Sequence, residues 1–161
     1  FIMTTVNKNL SFFDKKSIPN ASNFKFGVVV SKWNEKITNN LLKGVLDTLY
    51  SFNVIESNIV IFEVPGSFEL IYGAKKINEK NVDAIICLGS IIKGETKHFD
   101  FISNCVANGI KDLNIHLDVP VIFGVLTDDN EQQAIDRSGG KYGNKGVEAA
   151  ITAIKMVNLG K

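Results

Sequence analysis

The sequence predicts an α/β fold in which helices cover both faces of a four-stranded parallel sheet. Apolar segments of strand length alternate along the chain with longer segments of helical periodicity, the order that parallel strands and crossover helices produce. The 161 residues, 45% of them hydrophobic, are enough to bury one core and too few for two. Because crossovers are right-handed and connections short, a parallel sheet with helices on both faces is the simplest topology, and we expect it to be a flavodoxin-like three-layer sandwich.

The first half of the chain shows two strand–helix units. Residues 26–30 are rich in β-branched side chains and predict the first strand, and apolar residues recur at helical spacing over residues 38–52. The second strand is expected at residues 59–64. Ser67 is a candidate cap for the next helix. The apolar face of that helix comprises Leu70, Ile71, Ala74 and Ile77.

The second half repeats this alternation. We expect strands at residues 83–88 and 121–126, a long helix at 98–113, a short helix ending at Arg137 and a last helix at 145–158. Cap candidates for the short helix lie at residues 127–130. The predicted core stripe of the long helix comprises Phe101, Ile102, Cys105, Val106 and Ile110.

Charge and cysteine content limit the function classes. Eighteen basic and seventeen acidic residues give a net charge of +1, and the lysines are scattered, so neither nucleic acid nor an anionic membrane is an expected partner. Because the polar segment 4–16 lacks an export signal and no apolar run reaches about 20 residues, we expect a cytoplasmic protein without a membrane span. Cys87 and Cys105 have the spacing of neither a metal site nor a disulfide scaffold and are expected to be buried.

Polar or special residues follow each predicted strand. They occupy residues 33–34, 65–69, 90–98 and 127–130. Since ligands bind outside the carboxyl ends of the strands in such sheets, these four segments should meet at one rim.

The segment from Gly94 to Asp100 is the most informative of the four. It follows an apolar strand and opens a long helix, whose free N–H groups favour an anion such as phosphate. His98 lies at this point, and an imidazole exchanges protons near neutral pH. His116, just beyond the predicted end of this helix, is expected only to face solvent.

Each candidate also has a purely structural interpretation. Trp33 is suited to stack on a planar ligand, but a lone tryptophan also commonly covers a sheet edge. Phe68 and Glu69 fit an ordinary first helical turn, where a carboxylate complements the helix dipole. Arg137 and Lys145 flank a glycine-rich turn, where charged side chains are usually just solvated.

Several segments together resemble the 6,7-dimethyl-8-ribityllumazine synthase family. These segments are Trp33-Asn34, Val64-Pro65-Gly66-Ser67-Phe68-Glu69, residues 88–100, residues 120–127 and Gly143-Asn144-Lys145-Gly146. The likeness covers residues 24–158 in the right order and implies a single domain, 1–161, with an N-terminal arm at 1–23. Residues 125–129 depart from relatives that have a second threonine and a single acid.

The resemblance implies the penultimate step of riboflavin synthesis. In that reaction 5-amino-6-(D-ribitylamino)uracil condenses with 3,4-dihydroxy-2-butanone 4-phosphate, releasing phosphate and water. The family uses neither a metal nor an organic cofactor, so two small-molecule substrates are the expected ligands.

The resemblance also assigns residue roles. Phe123, Lys145 and Arg137 are implied to come from the neighbouring subunit. Arg137 would bind the phosphate together with the backbone amides of Glu95 and Thr96, and His98 would move protons. The implied contacts to the uracil ring and ribityl chain are Trp33, Asn34, Ser67, Phe68, Glu69, Ser90, Ile91, Ile92, Phe123 and Lys145.

A site shared between subunits implies a homo-oligomer. The family forms pentamers whose N-terminal segments add a strand to the adjacent sheet, and residues 9–13 are the candidate strand here. The short turn at residues 139–145 resembles members in which twelve pentamers close into an icosahedral 60-mer. Riboflavin synthase is a candidate partner.

Other protein classes fit less well. A flavodoxin-like FMN carrier would need a Ser/Thr/Gly-rich phosphate loop after the first strand, where this chain has Ser31-Lys32-Trp33. A receiver domain would need an acidic pair there. A riboflavin synthase of the same fold and a non-catalytic flavin-binding or shell paralogue remain the nearest alternatives.

Overall fold

Four parallel strands form the central sheet of this α/β protein in the computed structural model, which describes residues 9–161. The strand order is β2-β1-β3-β4, which confirms the predicted fold class and is consistent with a flavodoxin-like topology. The strands are β1 (Phe26–Ser31), β2 (Ile59–Val64), β3 (Ala84–Ile92) and β4 (Val121–Asp128).

Helices cover both faces of the sheet. Their bounds are α1 (Glu35–Ser51), α2 (Leu70–Asn78), α3 (His98–His116), α4 (Glu131–Arg137) and α5 (Lys145–Val157). A two-stranded hairpin, β5 (Ser138–Gly140) with β6 (Gly143–Asn144), connects the last two helices. One core forms between the sheet and α1 with α5, and the other between the sheet and α2 with α3. Within residues 9–161, no helix combines the length and apolarity needed to cross a bilayer.

The two central strands are buried on both faces because helices lie above and below them. Val28 and Val30 of β1 belong to the core beneath α1 and α5, whereas Val29 between them belongs to the core beneath α2 and α3. This alternation follows from the two-residue period of a strand. It explains why β1 reads as a continuous apolar run rather than an alternating one.

The predicted and observed bounds of the strands differ mainly at the carboxyl ends. β3 extends to Ile92 and β4 to Asp128, so Thr127 and Asp128 are strand residues rather than helix caps. The cap of α4 is Asn130, whose side chain accepts a hydrogen bond from the backbone N–H of Gln133 at 3.0 Å. Of the predicted cap candidates at residues 127–130, only Asn130 therefore caps the helix.

The predicted capping role of Ser67 is wrong. α2 begins at Leu70, and the residue at its N-cap position is Glu69, which makes no capping side-chain hydrogen bond. The backbone N–H of Leu70 donates to the backbone carbonyl of Ser67 at 3.2 Å. A main-chain turn thus replaces the expected side-chain cap.

The predicted core stripe of α3 is partly wrong. Phe101 is 71% exposed and Cys105 is also exposed, which contradicts the expected burial of this cysteine; Cys87 is buried as predicted. The observed stripe follows spacings of three and four residues, and therefore puts positions 101 and 105 on the other side of the helix. Its members are Phe99, Ile102, Val106, Ile110 and Leu113.

Residues 9–13, the candidate strand of the N-terminal arm, form a turn that contacts the β5–β6 hairpin of the same chain. The backbone N–H of Leu10 donates to the carbonyl of Tyr142 at 2.8 Å, and that of Asn144 donates to Ser11 Oγ at 3.0 Å. The candidate strand is therefore not found at these positions. Residues 1–8, the start of the predicted arm, lie outside the described residues.

The crossing of α1 and α5 is unusually close. A Cβ atom on Gly146 would lie 2.0 Å from the carbonyl oxygen of Leu41 in α1. Asn144 joins the same two helices: its Oδ1 accepts from the N–H of Gly146 at 2.8 Å and its Nδ2 donates to the carbonyl of Asn40 at 2.9 Å. The backbone of α5 therefore packs directly on that of α1.

We expect Gly146→Ala to lower the free energy of unfolding by at least about 3 kcal/mol, because the added methyl group meets backbone that has no room to move. Urea unfolding followed by circular dichroism measures this effect. Gly94→Ala is the matched control, since a Cβ there has no atom within 4 Å. Equal unfolding midpoints for Gly146→Ala and the unmodified protein would contradict the packing described here.

Candidate active site

A cleft of about 1010 Å³ opens at the carboxyl ends of β1, β2 and β3. The structure brings together in its wall ten of the residues that the sequence predicted to act in a site. They are Trp33, Asn34, Ser67, Phe68, Glu69, Ser90, Ile91, Ile92, Thr96 and His98.

The loop after β1 forms one side of the cleft. Its backbone is tied to the end of β2, since the N–H of Lys32 donates to the carbonyl of Val64 at 2.8 Å and that of Trp33 to the carbonyl of Pro65 at 3.0 Å. The side chain of Trp33 is 73% exposed. The indole is therefore held by its backbone at the cleft wall, with a face available to a flat ligand.

Asn34 links the same loop to β3. It adopts the left-handed conformation, with φ 60° and ψ 45°, which asparagine tolerates better than most residues. Its Nδ2 donates to the carbonyl oxygen of Ser90 at 2.9 Å. This side chain thus joins the loop after β1 to β3. The bond holds the loop, and with it the neighbouring Trp33, against the sheet.

The loop after β2 forms the next part of the wall. Ser67 is buried over β3, where a Cβ on Gly89 would lie 2.6 Å from its Oγ. Phe68 is half exposed, and the exposed Glu69 immediately precedes α2. The absence of a side chain on Gly89 therefore allows this loop to reach over the sheet into the cleft.

The segment between β3 and α3 supplies the polar end of the cleft. His98 is the first residue of α3, and its backbone N–H donates to Thr96 Oγ1 at 3.3 Å. The backbone N–H groups of Glu95 and Thr96 have no acceptor among residues 9–161. Free amides beside the start of a long helix are the usual environment of a bound phosphate.

Two residues in or just after β3, Ser90 and Glu95, also bear on ligand binding. Ser90 is buried in the cleft wall, and its Oγ has no hydrogen-bond partner among the described residues. Glu95 is exposed and does not line the cleft. The side chain of Glu95 is therefore not part of the cleft wall.

Three predicted residues lie away from this chain's cleft. Phe123 is on β4 and 36% exposed, Lys145 begins α5 and pairs with Glu148 at 2.6 Å, and Arg137 ends α4. These are the residues that the resemblance assigned to a neighbouring subunit. The segment 127–130, which was expected at the rim, also does not line the cleft.

Arg137 forms an ion pair with a buried carboxylate. Its Nη1 lies 3.6 Å from Oδ1 of Asp128, whose side chain is 2% exposed, whereas the arginine side chain is 42% exposed. Burial raises the pKa of Asp128, and the nearby guanidinium of Arg137 opposes this rise. Burial therefore disfavours the ionised form of Asp128, and the positive charge of Arg137 partly restores its stability.

Sequence reasoning missed three residues of the cleft wall: Phe99, Ile102 and Glu131. Ile102 lies one helical turn after His98, so its position was available from helical spacing. Glu131 begins α4, and only the tertiary structure places that helix beside the cleft. Among residues 9–161, no group of three or more His, Cys, Asp or Glu side chains is arranged to hold a metal ion.

The cleft thus combines an exposed aromatic face, buried strand ends, free backbone amides, an imidazole and a carboxylate. This set suits a planar polar molecule beside a phosphorylated one, with a group that moves protons between them.

Comparison with known proteins agrees with this description. Residues 23–161 match the family model described as 6,7-dimethyl-8-ribityllumazine synthase. A protein of that name from Flavobacterium johnsoniae is 60% identical over 158 residues, which cover 98% of this chain and 83% of the relative. Proteins of the same name from Christiangramia forsetii and Parabacteroides distasonis are 56% and 52% identical, and the matches cover 96% and 99% of those relatives.

Proposed function

The chain belongs to the 6,7-dimethyl-8-ribityllumazine synthase family, transferases of riboflavin biosynthesis, and we propose that its cleft carries out the family's condensation. In this reaction the amine of 5-amino-6-(D-ribitylamino)uracil attacks the ketone of 3,4-dihydroxy-2-butanone 4-phosphate. Loss of water, elimination of phosphate and ring closure then give the lumazine. The observation that best supports this proposal is the convergence of Trp33, Glu69 and His98 on one cleft.

The uracil substrate would bind against Trp33. An aromatic side chain gains by covering a flat heterocycle, and this indole is exposed at the cleft wall. Asn34 would lie at the ring edge, and Ser90, Ile91 and Ile92 would line the pocket beneath. The ribityl chain would extend toward the second loop, where Ser67 and Phe68 offer backbone N–H groups and Glu69 its carboxylate.

The phosphate of the second substrate would bind at the start of α3. The free N–H groups of Glu95 and Thr96 supply two donors there, and the helix dipole favours the negative charge. His98 would then stand between the phosphate and the reacting amine, where it would move protons for several steps.

We further propose that a neighbouring subunit completes the cleft with Phe123, Arg137 and Lys145. Exposed apolar side chains support such contacts: Ile61 and Tyr72 lie on β2 and α2, and Phe101 and Phe123 on α3 and β4. Because β2 and β4 are opposite edges of the sheet, a contact between them would be heterologous, the type of contact that forms a ring when its rotation closes.

The proposed ring is a pentamer. The short β5–β6 hairpin favours assembly of twelve such pentamers into a 60-mer shell. We propose that this assembly is cytoplasmic. The edge strand β2 is paired only with β1 among the described residues, so its outer side is free to contact a neighbouring subunit. Riboflavin synthase remains a candidate partner of such a shell.

The direct test of the proposed activity is to mix both substrates with the protein and record the absorbance of the lumazine product. Product formation well above the rate without protein is expected. A protein that binds lumazine but forms none would instead be a non-catalytic paralogue.

We expect His98→Ala to slow turnover by at least about tenfold without abolishing it, because holding the two substrates together contributes as much as positioned proton transfer. Steady-state rates of lumazine formation measure the effect. His116→Ala is the matched control, since His116 lies at the far end of the same helix. Unchanged turnover in His98→Ala would remove His98 from the mechanism.

For Arg137→Ala we expect a KM for the butanone phosphate at least about tenfold higher, with the KM for the uracil substrate nearly unchanged, because a charge-assisted contact to phosphate is lost. Lys141→Ala, which removes an exposed cation from the adjacent hairpin, is the control. Equal increases for both substrates would contradict a phosphate-specific role.

The proposed shell predicts a solution mass of sixty chains of 17.7 kDa each. Analytical ultracentrifugation across buffers and pH values measures it. A stable mass of five chains would contradict the shell and leave the proposed enzyme activity intact.

A further inference from the structure

We propose that Asp128 is a positioning residue that holds the guanidinium of Arg137 in the orientation required to bind the substrate phosphate. This inference rests on the proposed role of Arg137 at the neighbouring subunit's cleft, and it gives a new role to a residue that the sequence indicated only as a candidate helix cap.

Asp128 is fixed to the sheet. It is the last residue of β4, its side chain is 2% exposed, and its backbone carbonyl accepts the N–H of Lys93 at 2.9 Å. A carboxylate at such a position has little freedom to move. The atom that faces Arg137 is therefore a fixed point relative to the rest of the sheet.

The other end of the link is also fixed. Only Asp129 and Asn130 separate α4 from β4, and both are bonded to the helix: Asn130 caps it, while Oε1 of Gln133 accepts the backbone N–H of Asp129 at 2.9 Å. Arg137 is the last residue of this short helix. The backbone of Arg137 and the carboxylate of Asp128 are consequently held in a constant relation.

The side chain of Arg137 is long and flexible, and the contact with Asp128 restrains it. Arg137 is the chain's only arginine, and its guanidinium makes no contact with an acceptor other than Asp128 among the described residues. A flexible arginine loses side-chain entropy when it binds a phosphate. An ion pair that already restrains the guanidinium lowers that cost and leaves its other N–H groups free for a bidentate contact.

Asp128 also differs from a carboxylate placed to bind a ligand. Its Oδ2 is buried and has no hydrogen-bond partner among residues 9–161, and the residue does not line the cleft. Desolvation raises its pKa against the opposing effect of Arg137. A carboxyl group buried in this way beside one cationic partner fits a role in holding that partner.

The neighbouring carboxylate provides a matched control. Asp129 is 69% exposed and lies 4.0 Å from Lys93, so it carries the same charge one residue away without contacting Arg137. Asp129→Ala therefore reproduces the change in net charge near the site and leaves the restraint on the guanidinium in place.

The test compares steady-state KM values of Asp128→Ala, Asp128→Asn and Asp129→Ala for each substrate. We expect Asp128→Ala to raise the KM for the butanone phosphate about tenfold and to change the KM for the uracil substrate less than about twofold. Asp128→Asn keeps an oxygen that accepts from the guanidinium and should restore most of the affinity, and Asp129→Ala should resemble the unmodified enzyme. An unchanged KM for the phosphate substrate in Asp128→Ala, or an equal rise for both substrates, would overturn the proposal.

A second measurement covers the case in which Asp128→Ala fails to assemble. Inhibition of the assembled Asp128→Asn and Asp128→Thr enzymes by inorganic phosphate reports on the same contact, and only the threonine variant should bind phosphate more weakly. Similar inhibition constants for these two variants and the unmodified enzyme would again overturn the role of Asp128.

Combination with Arg137→Ala separates the two proposals. If Arg137→Ala itself leaves the KM for the phosphate substrate unchanged, the proposed role of Arg137 fails. If Arg137→Ala raises it and Asp128→Ala does not, only the present inference fails. In the double variant, the loss of Asp128 should add nothing to the loss of Arg137, because a positioning residue acts only through its partner.

Discussion

The cleft depends on the parallel pairing of β1 with both of its neighbours. Ser31 pairs with Val64, so β1 and β2 end at the same level, and Val30 pairs with Leu88 of β3, which continues to Ile92 beside the two loops that follow them. The hydrogen bond from Asn34 to the carbonyl of Ser90 then joins the loop after β1 to β3. A slip of one residue in this pairing would turn every side chain of β1 to the opposite face and separate the residues of the cleft.

Much of this arrangement was predictable from the sequence because it follows from rules that need no tertiary detail. Continuous apolar runs identified the strands, and strand–helix alternation implied parallel pairing. Parallel pairing in turn placed Trp33 and His98 beyond the carboxyl ends of the strands, where both line the cleft. The roles of the individual residues rest on the family resemblance and are proposals.

The remaining features depend on choices that a sequence leaves open. The first turns of α3 carry apolar side chains on more than one face, so Phe101 and Cys105 fitted a core stripe as well as Phe99 did, and only packing against the sheet decides between them. The length of β4 is a similar case. Thr127 and Asp128 are typical capping residues, yet pairing with β3 extends the strand through both. That extension buries Asp128 and creates its contact with Arg137.

The exposed position of Trp33 gives this protein an intrinsic optical reporter. It is the chain's single tryptophan, and it stands in the cleft wall. Indole emission responds to stacking and to loss of surrounding water, and no second indole in the chain dilutes the signal. A ligand that stacks on this indole would therefore change the fluorescence of the unlabelled protein, in an assembly of any size.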